Sequence, residues 1–161
     1  MKNNKQDTDK KEIYSRLLAQ AKALLEGESD RIANAANLSA LLFNGLPQLN
    51  WAGFYFLREG ELVVGPFQGK PACVRIPMGR GVCGTAAARR ETVVVDDVNA
   101  FSDHIACDVD SRSEIVVPLV APDGAVIGVL DLDAPVAGRL DQADRDGLER
   151  IAAAWMEAVS A

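Results

Sequence analysis

Two apolar runs, Glu114 to Val120 and Ala125 to Asp133, lie either side of Ala121-Pro122-Asp123-Gly124, and this arrangement constrains the fold more than any other stretch. Proline presets φ at the first central position of a turn, aspartate bonds to its own backbone and glycine supplies a positive φ, so the runs fold back as an antiparallel hairpin. Alternation along the second run places Asp131 and Asp133 on one face, continued by Val129 and Ile127. Glu114 joins that face if the connection has two or four residues. A three-residue connection or a simple bulge would send it to the other face.

The remaining sequence surrounds this hairpin. Residues 1 to about 9 are polar and are expected to form a disordered tail, leaving 10–161 as one domain. Ile13, Leu17, Leu18, Ala21, Leu24 and Leu25 recur at helical spacing up to Gly27. Ser29 is an expected N-cap for a second helix carrying Ile32, Ala35, Ala36, Ala40 and Leu41, which stops before Pro47. The aromatic run Trp51 to Leu57, a Glu-Gly turn and Leu62 to Phe67 form a second hairpin. Cys73 to Pro77 is a short strand, Gly79 to Gly84 a glycine-rich loop, Thr85 to Arg90 a short helix and Thr92 to Val95 a strand. A last helix begins near Asp141, which caps it, and buries Leu148, Ile151, Ala152 and Trp155. The fold class is therefore α+β: an antiparallel sheet of about six strands with the terminal helices on one face. The eighteen residues Asp96 to Ser113 have no period, and so long a loop in a compact domain suits the cover of a pocket on the other face.

Composition removes several classes. With 48% hydrophobic and 25% charged residues the chain can bury one core, and no stretch reaches the roughly 20 apolar residues of a membrane span. The N-terminus lacks an apolar signal-peptide core, which makes the cytoplasm the expected compartment. A net charge of −6 without a Lys/Arg cluster argues against a nucleic-acid partner. Gly79-Arg-Gly81-Val-Cys-Gly84 fits the dinucleotide GxGxxG pattern in letters, but the following helix is short and the strands run in hairpins, so a tight glycine lid is the better reading.

Chemistry is concentrated in three cysteines, Cys73, Cys83 and Cys107. An odd number in a reducing compartment argues against a structural disulfide framework. Cys107 lies in a polar, aperiodic run beside Asp103, Asp108 and Asp110, where packing does not explain a sulfur; Cys83, between Val82 and Gly84, fits burial as well as it fits redox work. Zinc is disfavoured, because there is no CxxC and only His104 to complete a cysteine set. The nearby aspartates should raise the Cys107 thiol pKa. Arg112, His104 or backbone N–H groups are candidates to offset them.

The segments NWAGFYFL, LVVGPFQGKPACVRIPMGRGVCGTAA, VDDVNAF, HIACDVDSRSEIVVPL and VIGVLDLDAP together resemble the free methionine-R-sulfoxide reductases, a stand-alone GAF-domain family. The resemblance spans residues 12 to 160 and implies a GAF fold with no cofactor. It further implies that Cys107 attacks the sulfoxide sulfur and is left as a sulfenic acid, that Cys73 resolves this to a disulfide, and that Cys83 is an auxiliary thiol. Thioredoxin is the implied reductant and a homodimer the implied assembly. Glu114, Asp131 and Asp133 match the family's substrate-binding carboxylates, and Trp51 and Tyr55 match positions enclosing the substrate methyl group. Carboxylates crowded in one pocket resist ionising together, so one can stay protonated near pH 7 and donate to the sulfoxide oxygen while the others hold an α-ammonium group. A GAF sensory module that binds a small ligand or reports redox state without turnover is the alternative from another class.

Overall fold

The computed structural model describes residues 2–160. In chain order the elements are α1 (Lys2–Leu25), α2 (Arg31–Gly45), β1 (Trp51–Arg58), β2 (Glu61–Gly69), β3 (Arg75–Pro77), α3 (Gly81–Arg89), β4 (Val93–Val95), a 3-10 turn (Val98–Ala100), β5 (Ser113–Val120), β6 (Val126–Ala134) and α4 (Gln142–Ser160). The strands make one antiparallel sheet in the order β3-β2-β1-β6-β5-β4. Helices α1, α2 and α4 cover one face and α3 packs on the other, the α+β arrangement expected from the sequence. On the helical face Trp155 of α4 is fully buried, with its ring 5.4 Å from Phe54 and 5.9 Å from Phe56.

Local details differ from expectation in instructive ways. The cap of α2 is Asp30, whose carboxylate accepts from Ala33 N at 2.8 Å, rather than Ser29. The buried stripe of α2 is Asn34, Ala35, Leu38, Ser39 and Leu42, so Ile32 faces outward. Strand β3 starts at Arg75, which leaves Cys73 in the preceding loop. α3 begins at Gly81, so Cys83 sits in a helix rather than a glycine loop. Residues 2–9, read as a tail, lie in the first turns of α1. From that helix Lys10 and Tyr14 reach Asp144, which is fully buried, and each donates to its carboxylate at 2.8 Å. Arg139 donates to the same group at 3.3 Å, and together these bonds fasten α1 to the start of α4. Asp141 accepts from Ala143 N at 3.0 Å and caps α4 as expected.

The β5–β6 register decides the site. The connection has three residues, closed by Ala121 N donating to Ala125 O at 2.8 Å, and would by itself have set Glu114 opposite Leu132. Between the pairs Val120–Val126 and Leu119–Gly128, however, Ile127 is an extra residue. Each of these shifts turns the strand over once, and together they cancel. Glu114 therefore pairs with Asp133 and Val116 with Asp131. The bulge also corrects the expectation for Ile127, which packs with the helical core instead of continuing the face of Val129.

Candidate active site

The non-helical face of the sheet centre carries three carboxyl groups at adjacent positions. Glu114 from β5, with Asp131 and Asp133 from β6, are all at least nine-tenths buried. Strand β1 contributes Trp51 opposite Asp133 and Gly53 opposite Asp131, with Tyr55 farther along the same face. A side chain at Gly53 would overlap Phe67 and the Trp51 ring, so glycine lets that ring lie flat across the strand. Trp51 stacks at 5.8 Å from Tyr55 and 5.1 Å from Phe67. Trp51, Tyr55 and the three carboxyl groups, with Ile76, Val82, Cys83, His104, Cys107 and Ser111, line a cavity of about 40 Å³.

Burial of like charges sets the protonation of this group. Desolvation first, and the neighbouring Asp133 second, push Asp131 up to about 8. Burial raises Glu114 well above the usual carboxylate range, with the Asp131 charge adding to it, and raises Asp133 likewise with help from Glu114. Asp131 Oδ1 is buried without a hydrogen-bond partner, a costly state for a polar atom.

Cys73 and Cys107 are joined in a disulfide, with both residues half-buried at the edge of this cavity. Their loops are tied down by β1 and the residue before it. Tyr55 donates its hydroxyl to Cys73 O at 3.0 Å, and Trp51 Nε1 donates to Lys70 O at 3.2 Å. Asn50 Nδ2 donates to Asp108 Oδ2 at 3.0 Å and to Ser111 Oγ at 2.9 Å, bracketing the Cys107 segment. Asn50 and Ser111 had not been singled out in the sequence; a polar residue directly before an aromatic strand was the available signal for Asn50.

The aspartates around Cys107 are less repulsive than their spacing suggests. Asp103 is held by the Arg80 guanidinium at 2.9 Å and by Gly81 N at 3.2 Å, and Asp110 pairs with Lys70 at 2.8 Å. Arg112 is occupied by Asp97 at 3.2 Å, and so is spent on the loop rather than on the thiol. His104 does line the cavity, and burial holds its pKa below the ordinary value, which leaves a neutral imidazole at pH 7. Cys83 is a free thiol in α3, 4% exposed, with Sγ 4.0 Å from Glu114 Oε2 and its pKa raised by burial.

The GAF domain family matches residues 33–160. The free methionine-R-sulfoxide reductase of Escherichia coli is 52% identical over 145 residues, covering 90% of this chain and 87% of that protein. The enzyme of the same name from Saccharomyces cerevisiae is 42% identical over 157 residues, covering 93% and 87%. Among solved structures, fRMsr of Staphylococcus aureus in complex with substrate superposes with a TM-score of 0.87 at 51% identity, covering 91% of this chain and 95% of that one.

Proposed function

The chain belongs to the free methionine-R-sulfoxide reductases of the GAF-domain family, and from this premise we infer that it reduces free L-methionine-R-sulfoxide to methionine with Cys107 as nucleophile. The observation that carries the reading is the juxtaposition, around one cavity, of the Cys73–Cys107 disulfide with three neighbouring buried carboxyl groups. That disulfide is the oxidised end of the cycle.

In the reduced enzyme the substrate α-ammonium meets Asp131, and its charge draws the carboxyl to the anionic form. Glu114 and Asp133, raised by burial well above the usual carboxylate range, keep a proton for the sulfoxide oxygen. Protonation makes the sulfur electrophilic and Cys107 attacks it; the oxygen then passes from the substrate sulfur to Cys107 Sγ as the transient Sγ–S bond breaks, so methionine departs and Cys107 is left as a sulfenic acid. Cys73 displaces that oxygen as water and forms the disulfide, so two thiol electrons balance one sulfoxide reduced. A thioredoxin-type dithiol then regenerates both thiols. Trp51 and Tyr55 enclose the methyl group, a contact that suits a polarisable sulfur substituent. Cys83, being buried, serves beside the carboxyl groups rather than as the primary resolving thiol. A homodimer, and residence in the cytoplasm, complete the reading; among the described residues no helix is long and apolar enough to cross a membrane.

Blocking the ammonium tests the assignment. N-acetyl-methionine-R-sulfoxide should react at least about 100-fold more slowly in kcat/KM than the free amino acid, because the amide leaves Asp131 without a cation. Equal rates on the two would remove the carboxyl groups from substrate recognition.

A further inference from the structure

Asp131 Oδ1 is a buried acceptor with nothing donating to it, and it lies among other donors of electron pairs. One ligand atom each from Cys83 in α3, Glu114 in β5 and Asp131 in β6 lie within 4.8 Å of one another, and all three residues are buried. We propose that Cys83, Glu114 and Asp131 form a binding site for a soft divalent cation of the zinc or cadmium type, and that such a cation excludes the substrate.

The donor set favours this class. One thiolate and two carboxylates give a borderline-soft site that suits zinc or cadmium better than magnesium or calcium, which take oxygen alone. Tetrahedral zinc with these bond lengths sets sulfur and oxygen about 3.6 Å apart. The observed 4.0 Å from Cys83 Sγ to Glu114 Oε2 needs a closure of a few tenths of an ångström, within side-chain adjustment. The three ligands come from three elements already packed together, so no backbone has to move. A cavity of about 40 Å³ leaves room for the ion and a water as fourth ligand, given about 10–15 Å³ per water. Binding displaces the protons of three groups and replaces them with one double charge. The cation site stands apart from the catalytic reading; its competition with substrate rests on that reading, since both claim Glu114 and Asp131.

The oxidised protein offers a clean test, because of its three cysteines only Cys83 is then a free thiol. Chelator-treated oxidised protein is titrated with Cd²⁺, following bound metal by equilibrium dialysis and the ultraviolet thiolate-to-cadmium absorption. One equivalent should bind with the absorption present, and Cys83→Ser should abolish the absorption. Asp131→Asn should weaken binding by about 100-fold or more, since even partners outside the ligand shell are worth about 10–100-fold. Glu114→Gln, with folding checked by near-ultraviolet circular dichroism, serves if Asp131→Asn does not fold. Absence of the absorption, or cadmium affinity indifferent to both carboxyl variants, would overturn the site. For exclusion, the inert Cys73→Ser/Cys107→Ser protein is titrated with and without saturating L-methionine-R-sulfoxide. The sulfoxide should raise the cadmium Kd at least about tenfold, and an unchanged Kd would overturn the competition while leaving turnover itself untouched.

Discussion

At the scale of single residues, the site works by keeping protons where water would remove them. Asp131, Glu114 and Asp133 are buried together, and burial beside Asp133 holds Asp131 at about 8. Two consequences follow for activity. Because the α-ammonium is received by the anionic form of Asp131, kcat/KM should rise as pH passes about 8; a profile flat from pH 7 to 9 would remove Asp131 from substrate recognition. Glu114→Gln, which keeps shape but loses the acid, should lower kcat by about 10²–10⁴-fold, the usual worth of a positioned general acid. Recovery of most activity by Glu114→Asp, at the same pH limb, separates that role from mere packing. The composition of Asp-Leu-Asp and of Ser-Glu-Ile was legible in the sequence. Their mutual burial was not, because it depends on the register between β5 and β6.

Among the elements, the site depends on two errors of register that cancel. The alternation of β6 places Asp131 and Asp133 on one face, while the sequence leaves the face of Glu114 open and the three-residue connection that forms would by itself send it to the other. The extra residue Ile127 restores it, and nothing in Val-Ile-Gly-Val marks a bulge, since both faces there are apolar. The helix carrying Cys83 was misread as a loop for a related reason: glycines at 79, 81 and 84 resemble a turn, while Gly81 with φ of 63° only opens α3 and Gly84 lies inside it. A search for cysteine and histidine ligands disfavoured zinc, whereas the fold sets Cys83 beside carboxylates far away in sequence. Strand β1 and Asn50 anchor both cysteine loops, so Asn50→Ala should free the segment around Asp108 and Ser111. Its expected cost is about 1–3 kcal/mol by urea unfolding, with a slower step from Cys107 sulfenic acid to disulfide in rapid-quench thiol assays. An unchanged disulfide rate would mean that the segment holds its place without Asn50.

For the whole molecule, the fold accepts a destabilising centre and compensates elsewhere. Groups whose native pKa values are raised bind protons that the unfolded chain has already released. Their stabilising contribution is complete below the ordinary carboxylate range and is lost as pH rises towards about 8. Unfolding free energy should therefore decline from pH 5 to 8, against a smaller opposite slope from His104, and Asp131→Asn should flatten the decline. An identical slope in that variant would assign it to other groups. Compensation comes in part from Asp144, whose removal as Asp144→Ala should cost about 3–5 kcal/mol in chemical denaturation, because Arg139 and the Tyr14 hydroxyl would lose their buried carboxylate and Lys10 would keep only Asp141. The central claim is that a two-thiol, one-sulfoxide reaction occurs within this single chain. It is tested most directly by mixing fully reduced protein with excess L-methionine-R-sulfoxide in the absence of any other reductant, then counting methionine and thiols and mapping the disulfide by mass spectrometry. The account predicts one methionine per chain, two thiols lost and a Cys73–Cys107 link. No methionine with all three thiols retained would contradict it and leave a ligand-binding GAF module.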